Sequence, residues 1–501
     1  MPGCDFLPVP PRGSLRSVVG AMSTDTAELT IVERESELLA PVPPRPHAPP
    51  SWRHARARWA RVRADPARVL AARESWRALW SSRVLVWAAG VGTVLSLGYG
   101  PVRGAFNPPG VTRGFGWLGN LLAAPAARWD SAWYLVIAHY GYRPDLGLYT
   151  SSRTAFFPLY PLGLRMISSL GAPPVLAGVL LSTAALGAAL YGIHRLTTLE
   201  RGGVGAPAVI GDRVASAARL AVLLTAFAPM AFFLSAVYSE SLYLALSVAL
   251  FWSARQGRWM WVGVIGALAG ATRSTGLVLA LPALMIYLYG PRLDRPADFA
   301  SEALARARLL PRYRVRRDIL WLALIPVGVL AYGAYIGLSG GDPLAPLHAQ
   351  DVWGRHFAGP YLGVWDAVVA AVDGARQLLS FQSAHVYFAA GTGSPTVAAE
   401  HNLMLLAFLL AAVPATVGVL KKLPLAYGVY VLAALALPLS YPVSSQPLMS
   451  LPRFLVVLFP LVIWLGWWLA GHPRLQRPAI VTSACLMAFF AAEFSTWHWV
   501  A

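Results

Sequence analysis

The stretch 402–420 reads NLMLLAFLLAAVPATVGVL and contains no charged residue. A helix of that length is about 30 Å long, which is the thickness of the hydrocarbon core of a bilayer. Ten further apolar runs of roughly helix-spanning length lie near 84–100, 174–196, 217–237, 240–255, 259–275, 276–290, 319–338, 425–440, 453–470 and 478–495. They lack the strict alternation of apolar and polar residues that is typical of a membrane β-barrel. The sequence therefore predicts an all-α, polytopic membrane bundle with about eleven spans.

The composition agrees with this prediction and excludes other classes. Of the 501 residues, 56% are hydrophobic and 13% are charged, whereas soluble domains carry about 25% charged residues. The mean hydropathy is +0.53. A net charge of +18 would also suit a nucleic-acid partner. The basic residues cluster between the apolar runs, however, where they usually set membrane orientation. We therefore expect a multi-pass protein of the cell membrane and no nucleic-acid partner.

The chain is predicted to have two parts. Residues 1–82 are rich in Pro, Arg and Ala and are expected to form a cytoplasmic, largely disordered basic tail. Within it, 52–80 fits either a basic amphipathic helix on the inner leaflet or a solvated segment. Residues 83–501 are the predicted membrane domain. No secretory signal precedes its first apolar run, and Met22 is an alternative to the first residue as the start of translation.

The basic connections between the runs predict the orientation. With the N-terminus cytoplasmic, all strongly basic connections lie inside and the C-terminus lies outside. Two long loops, about 101–173 and 339–401, are then extracytoplasmic. The run 155–170, AFFPLYPLGLRMISSL, would invert this pattern if it spanned. We interpret it as a re-entrant or interfacial helix, so the first outer loop carries amphipathic elements and the predicted site is extracytoplasmic.

Four charged residues in or beside outer connections are candidates for chemistry. Asp130 precedes an amphipathic helical pattern and suits either a helix N-cap or a general base. Glu240 lies at a depth where a carboxylate is costly and often functional. Arg273 suits a phosphate by forked hydrogen bonds, or an ion pair with Glu240 or Asp130. Arg453 suits a phosphate or a snorkelling contact with the membrane interface.

The second long loop contains a polar cluster, namely His348, Asp351, Arg355 and His356. A divalent metal is conceivable there, but the spacing matches no tight metal signature, and we predict no cofactor. The chain also lacks the glycine-rich phosphate loops of nucleotide-binding proteins. An activated sugar would therefore have to reach the site from the membrane, and a polyprenyl-linked phosphate sugar meets that need.

Five motifs occur in order along the chain: RWDSAWYLVIAHYGY (128–142), AFFPLYPL (155–162), SAVYSESLYLALS (235–247), ATRSTGLVLALP (271–282) and LPRFLVVLFPL (451–461). Together they resemble the GPI mannosyltransferase II family of the PIG-V type, including its bacterial relatives. The resemblance covers residues 128–460. Arg is used almost exclusively as the basic residue, which suggests a GC-rich genome and a bacterial member.

This resemblance implies a GT-C-like glycosyltransferase that takes mannose from a polyprenyl (dolichyl) phosphate carrier and inverts the anomeric centre. It implies Asp130 as the general base, because Asp130 matches the acidic residue of the family's first-loop motif. It further implies contacts with the donor phosphate or the substrate for six residues: Arg128, Tyr160, Tyr238, Glu240, Arg273 and Arg453.

Two rival interpretations stay open. A transporter or flippase for a lipid-linked substrate often shows internal repeats and polar groups at mid-membrane, whereas the polar residues here gather at one face. A non-catalytic subunit would not need the four charged candidates. The acceptor is also open, because a bacterial member lacks the GPI precursor: a lipid glycan, a cell-wall polymer or a secreted protein would each fit. We expect as partners a polyprenyl-phosphate sugar, a lipid or glycan acceptor, and membrane lipids.

Overall fold

Helices account for the regular structure of the chain, which is described by a computed structural model. Among the described residues, an isolated antiparallel bridge between Arg355 and Val443 is the only strand-like pairing. This confirms the predicted all-α class. The segment 1–64, which includes most of the predicted tail, lies outside the described residues. The described residues are 65–101, 104–108, 111–112, 116–142, 152–202, 211–298, 310–388 and 393–500.

The helices are numbered here in chain order over the described residues. The first nine are α1 (Pro66–Leu97), α2 (Gly116–Ala123), α3 (Ser131–Tyr140), α4 (Leu159–Ser168), α5 (Pro174–Gly202), α6 (Asp212–Ala226), α7 (Glu240–Arg255), α8 (Trp259–Thr272) and α9 (Ala280–Tyr289). The others are α10 (Val327–Leu338), α11 (Ala345–His348), α12 (Pro360–Ser380), α13 (Pro395–Lys422), α14 (Leu425–Ser440), α15 (Leu451–Leu455), α16 (Phe459–Ala470) and α17 (Pro473–Ser495). Short 3₁₀ helices occupy Gly104–Phe106, Ala231–Leu234, Ser274–Leu279, Arg317–Leu324 and Ala349–Trp353.

Four of the described helices, α1, α5, α13 and α17, are long and apolar enough to cross a membrane. The 3₁₀ helix Arg317–Leu324 and α10 pass the same test together, with a bend of 41° between them. The predicted spans 259–275 and 276–290 are shorter helices here. The 14 residues of α8, for example, extend only about 21 Å. The polytopic class is therefore confirmed, whereas the count of about eleven spans stays a prediction.

Helix α1 begins inside the segment that the sequence assigned to the tail. Asp65 caps it, because the Asp65 carboxylate accepts hydrogen bonds from the backbone N–H groups of Ala67 and Arg68 at 3.0 and 3.3 Å. Residues 66–82 are thus the first turns of a helix that continues into the first apolar run. The disorder and the cytoplasmic position predicted for the tail concern mainly residues outside the described part and stay predictions.

The predicted span 217–237 is broken after α6. Pro229 cannot donate to a helix, and the last helical residue is Ala226. The carbonyl groups released at the break are bound by Arg83 of α1, a side chain that is almost completely buried. Its Nη2 donates to the Ala226 carbonyl at 2.9 Å and its Nη1 to the Ala231 carbonyl at 2.8 Å. Irregular backbone inside a bundle is tolerated where such internal partners satisfy it.

Basic residues from different connections lie together at one place in the bundle. At one end, Arg201 donates to the carbonyl of Lys422 at 3.1 Å, and the guanidinium groups of Arg201 and Arg213 lie 5.1 and 4.5 Å from the ring centre of Trp467. The end of α5, the start of α6 and the end of α13 therefore lie close together, whereas the membrane orientation stays a prediction. The short helices α3 and α4 pack together elsewhere, and the 10 residues of α4, about 15 Å, are too few to cross a bilayer.

Candidate active site

Four of the charged residues singled out from the sequence meet at the ends of helices. Asp130 directly precedes α3, and Glu240 is the first residue of α7. Arg273 has an extended backbone between α8 and the following 3₁₀ helix. Arg453 lies in the short helix α15. Because each residue sits where a helix starts or stops, its side chain can reach the others without interrupting a helix.

Their side chains form an unbroken series of ion pairs, which we call the charge chain (Asp130, Arg453, Glu240 and Arg273). Nη1 of Arg453 lies 2.6 Å from Oδ2 of Asp130, and Nε of Arg453 lies 3.1 Å from Oε1 of Glu240. Nη1 of Arg273 lies 2.9 Å from the same Glu240 oxygen. The Glu240 side chain is 1% exposed and that of Asp130 is 13% exposed. The accessible carboxylate of the series is therefore Asp130.

The geometry bears on one of the alternatives that the sequence left open for Asp130. Its backbone occupies the N-cap position of α3, but its side chain makes no capping hydrogen bond to the helix. The carboxylate is instead bound through Oδ2 to Arg453. Within the described residues no donor is bonded to Oδ1. Asp130 is thus held in place by an ion pair, and its role as a general base stays a prediction.

Arg273 and Arg453 are likewise placed by their partners. Arg273 adopts the ion pair with Glu240, and the Arg453 guanidinium lies within the charge chain rather than extended towards an interface. Phe454 stacks between them, with its ring centre 5.4 Å from the Arg273 guanidinium and 5.7 Å from that of Arg453. Direct contact of either arginine with a donor phosphate stays a prediction.

The residue before Asp130 has an unusual backbone. Trp129 has φ = 53°, a left-handed conformation that is rare for a bulky side chain. Its indole Nε1 donates to the carbonyl of His498 at 3.2 Å, and its ring lies 5.9 and 5.3 Å from those of Trp497 and Trp499. We call Trp497, His498 and Trp499 the C-terminal clamp. Strained backbone of this kind persists only where surrounding contacts enforce it and is often found at functional sites.

Arg128 contacts the same C-terminal region. Its Nε donates to the carbonyl of Ser495 at 3.1 Å, and its guanidinium lies 4.8 Å from the ring centre of Trp497. These contacts position the start of the Asp130 segment. The predicted contact of Arg128 with the donor phosphate stays a prediction.

The two tyrosines predicted for the site have different surroundings. The Tyr238 hydroxyl donates to the carbonyl of Arg128 at 3.0 Å, and its ring centre lies 5.6 Å from the Arg453 guanidinium. Tyr238 therefore lines the charge chain. The Tyr160 hydroxyl is bonded to Ser182 of α5 at 2.7 Å, so this side chain ties α4 to α5, and a substrate contact for it stays a prediction.

Tyr134 belongs to the site although the sequence analysis did not select it. Its hydroxyl is 2.8 Å from the hydroxyl of Ser239, the residue before Glu240. Burial, followed by the negative charge of Glu240, raises the pKa of Tyr134 to about 12. The phenol is therefore neutral at physiological pH and can donate a hydrogen bond. Its position four residues after Asp130, one helical turn away, was the available sequence signal.

The polar residues noted in the second loop make separate contacts in the part of the chain that the structure describes. His348 is paired with Asp342, with Nδ1 and Oδ2 2.5 Å apart. No three His, Cys, Asp or Glu side chains converge among the described residues. Arg355 instead donates to the carbonyls of Tyr441 and Met449, both at 3.2 Å. The second loop thus docks beside the segment that leads into Arg453.

The fold and this site define an integral membrane protein of the helical type in which four charged side chains meet at the ends of helices. Residues 107–289 match the family model of the PIG-V mannosyltransferases. Over this range the chain is similar to the PIG-V mannosyltransferases, which confirms the resemblance drawn from the motifs. The matched range contains Asp130, Glu240 and Arg273, whereas Arg453 lies beyond it.

The chain is also similar to curated mammalian proteins named GPI alpha-1,6-mannosyltransferase 2. It is 33% identical to that of Rattus norvegicus over 182 residues, which are 35% of this chain and 34% of the rat protein. It is 34% identical to that of Mus musculus over 157 residues, 30% of this chain and 29% of the mouse protein. The chain therefore spans about a third of the length of these relatives. No solved structure matches it significantly.

Proposed function

We propose that this protein is a mannosyltransferase that moves mannose from a polyprenyl-phosphate donor to a lipid or glycan acceptor at the extracytoplasmic face of the cell membrane. Similarity to the PIG-V mannosyltransferases supports the choice of sugar. The observation that carries the mechanism is the Asp130 carboxylate, which is ion-paired through Oδ2 and partly accessible at the end of the charge chain.

The chemistry is a single displacement. An acceptor hydroxyl attacks the anomeric carbon of mannose from the face opposite the phosphate, and a new carbon–oxygen bond forms as the bond to the phosphate oxygen breaks. The hydroxyl proton passes to Oδ1 of Asp130, and the polyprenyl phosphate leaves with the bonding electrons. The anomeric configuration is therefore inverted. A positioned base of this kind contributes about 10²–10⁴-fold to the rate.

The remaining charged groups prepare the site for that step. Arg453 fixes the orientation of the Asp130 carboxylate, because its Nη1 lies 2.6 Å from Oδ2. Glu240 holds Arg453 and Arg273 through one oxygen, so both guanidinium groups face the same region. Fixed positive charges beside the departing phosphate stabilise its developing charge without reorganisation during the reaction.

Exposed apolar side chains support a lipid-linked substrate. Phe357 of the second outer loop is exposed and packs on Tyr441, with ring centres 5.4 Å apart. Tyr441 is also one of the two residues whose carbonyls bind Arg355. Leu338 and Leu347, on either side of the start of that loop, are exposed as well. Apolar surface next to a charged site suits a molecule with a prenyl chain and a charged head.

The proposal is tested by incubating membranes with radiolabelled polyprenyl-phosphate mannose and comparing the wild type with Asp130→Asn. Wild type is expected to form a labelled product of inverted configuration, established by NMR of the purified product, and Asp130→Asn to form none. Asp373→Asn is the matched control, because Asp373 is bound only to the exposed Arg376. Full transfer by Asp130→Asn would show that another group is the base. Transfer only from a different polyprenyl-phosphate sugar would exclude mannose.

A further inference from the structure

Arg355 is an arginine near the charge chain that has no acidic partner among the described residues. Its two guanidinium nitrogens donate to the neutral carbonyls of Tyr441 and Met449. Among the described residues no carboxylate lies within ion-pair distance of it, and this includes Asp351, the nearest acid along the chain. A guanidinium has five N–H donors, so three remain after these two bonds.

The backbone places Arg355 at the site. Arg355 forms an antiparallel bridge with Val443, and the N–H of Ala358 donates to the carbonyl of Ser440 at 2.9 Å. Met449, which accepts from Arg355, lies four residues before Arg453. Burial and then the charge of Arg453 lower the pKa of Arg355, the charge of Asp130 opposes them, and the resulting pKa is about 10. Arg355 is therefore protonated at neutral pH and close enough to both residues to feel their charges.

The charges of the site do not balance. The carboxylates of Asp130 and Glu240 face the guanidinium groups of Arg273 and Arg453, and Arg355 adds one positive charge without a counter-charge. A phosphodiester carries one negative charge at neutral pH. A lipid-linked phosphate sugar is such a diester, so its charge equals the missing one.

We propose that Arg355 binds the phosphate of the donor and that Arg273 and Arg453 mainly hold the carboxylates. This inference rests on the proposed function. Arg273 and Arg453 can bind a phosphate only by weakening their ion pairs, whereas Arg355 loses no ion pair. The planar guanidinium can present two parallel N–H groups to two phosphate oxygens. When the diester becomes a monoester its negative charge increases, so the same contact strengthens as the phosphate leaves.

The test measures binding of a short-chain isoprenyl monophosphate without sugar to the purified full-length protein in detergent. Arg355→Gln is expected to raise its Kd about 10- to 100-fold, since a hydrogen bond to a charged group is lost. Arg355→Lys, which keeps the charge without the fork, should give an intermediate value. Binding of the corresponding isoprenol should be unchanged, and so should phosphate binding by Arg376→Gln, the control on the exposed face of α12. In transfer assays the donor KM should rise and the acceptor KM should not.

The two proposals fail separately. If Arg355→Gln and Arg355→Lys bind the isoprenyl phosphate and use the donor like wild type, while Arg273→Gln binds weakly, the inference about Arg355 is wrong and the mannosyltransferase proposal stands. If wild type binds the isoprenyl phosphate through Arg355 but transfers no mannose, the inference about Arg355 stands and the mannosyltransferase proposal is wrong. Thermal unfolding of each variant verifies that the comparison is made on folded protein, and Arg355→Lys serves if Arg355→Gln does not fold.

Discussion

Oδ2 of Asp130 lies 2.6 Å from Nη1 of Arg453, although the two residues are 323 positions apart in the chain. Arg453 also forms an ion pair with Glu240, whereas Arg273 forms an ion pair with Glu240 but with no second carboxylate of the charge chain. Arg453 is therefore the one residue of the charge chain that joins both carboxylates. This asymmetry between the two arginines has measurable consequences.

Arg453→Ala should reduce the transfer rate more than Arg273→Ala. Loss of Arg453 removes the ion-pair partner of Asp130 and one of the two ion-pair partners of Glu240. Loss of Arg273 leaves the ion pair between Asp130 and Arg453 intact. We expect at least a tenfold difference in kcat between the variants, because loss of a charge-assisted hydrogen bond of about 1.5–3 kcal/mol alters the position of the base. Steady-state kinetics on both variants measure it, and equal kcat values would contradict the asymmetry.

Glu240→Ala should destabilise the protein itself. The substitution removes the carboxylate that lies between the guanidinium groups of Arg273 and Arg453. Removing one partner of a buried ion pair costs about 3–5 kcal/mol of stability. Thermal unfolding in detergent should show a clear decrease in Tm. Glu400→Gln is the control, since Glu400 is exposed at the start of α13. An unchanged Tm for Glu240→Ala would mean that water replaces the lost contacts.

Trp129→Ala should lower kcat while leaving the donor KM nearly unchanged. The substitution removes the contacts with the C-terminal clamp that hold the left-handed backbone next to Asp130. A displacement of a catalytic group by about 1 Å can reduce a rate about 10²-fold. Trp117→Ala, at an exposed tryptophan of α2, should have no such effect. A parallel rise in donor KM would indicate that Trp129 binds substrate directly.

Gly363→Ala should weaken the packing of α12 on α14. A Cβ atom at Gly363 would lie 1.8 Å from the carbonyl oxygen of Leu439, so one backbone has to move, at a cost of about 1–3 kcal/mol. Because α12 follows the Arg355 loop, donor affinity should decrease as well. Gly92→Ala in α1 is the matched control. Its Cβ meets no atom within 4 Å, and alanine favours the helix by about 1 kcal/mol. Equal Tm values for both variants would contradict the close approach.

Thiol labelling of intact cells should report the proposed orientation. In a background without Cys4 and Cys485, Asp351→Cys should react with a membrane-impermeant reagent, because Asp351 is exposed in the second outer loop. Lys422→Cys, at the far end of α13, should react only after permeabilisation. The reverse pattern would place the charge chain on the cytoplasmic side.

The members of the charge chain could be found from the sequence because a charged residue at the end of an apolar run is costly and therefore conspicuous. Which of these residues pair with each other could not be predicted from the sequence. Which carboxylate Arg453 reaches depends on how α15 packs against helices more than two hundred residues earlier. The same limit applies to Arg355, because its contacts with Tyr441 and Met449 depend on how the second loop packs against residues about ninety positions later.

The apolar pattern also concealed the break after α6. Hydropathy averaged over the predicted span 217–237 is unaffected by one proline, and Arg83 resembles an ordinary basic residue at the start of a span. Only the packing of α1 against the break shows that Arg83 binds the carbonyls of Ala226 and Ala231. Likewise, the left-handed backbone of Trp129 has no local sequence signal, since the residues that enforce it are Trp497 to Trp499.

The distance in sequence between Asp130 and Arg453 also sets the timing of assembly on the ribosome. At about 5–20 residues per second, the 323 residues between them take about 15–65 s to synthesise. Arg273 follows Glu240 within seconds, but Asp130 has to wait for its counter-charge until Arg453 has been synthesised. A nascent chain therefore carries an Asp130 carboxylate without its ion-pair partner throughout this interval.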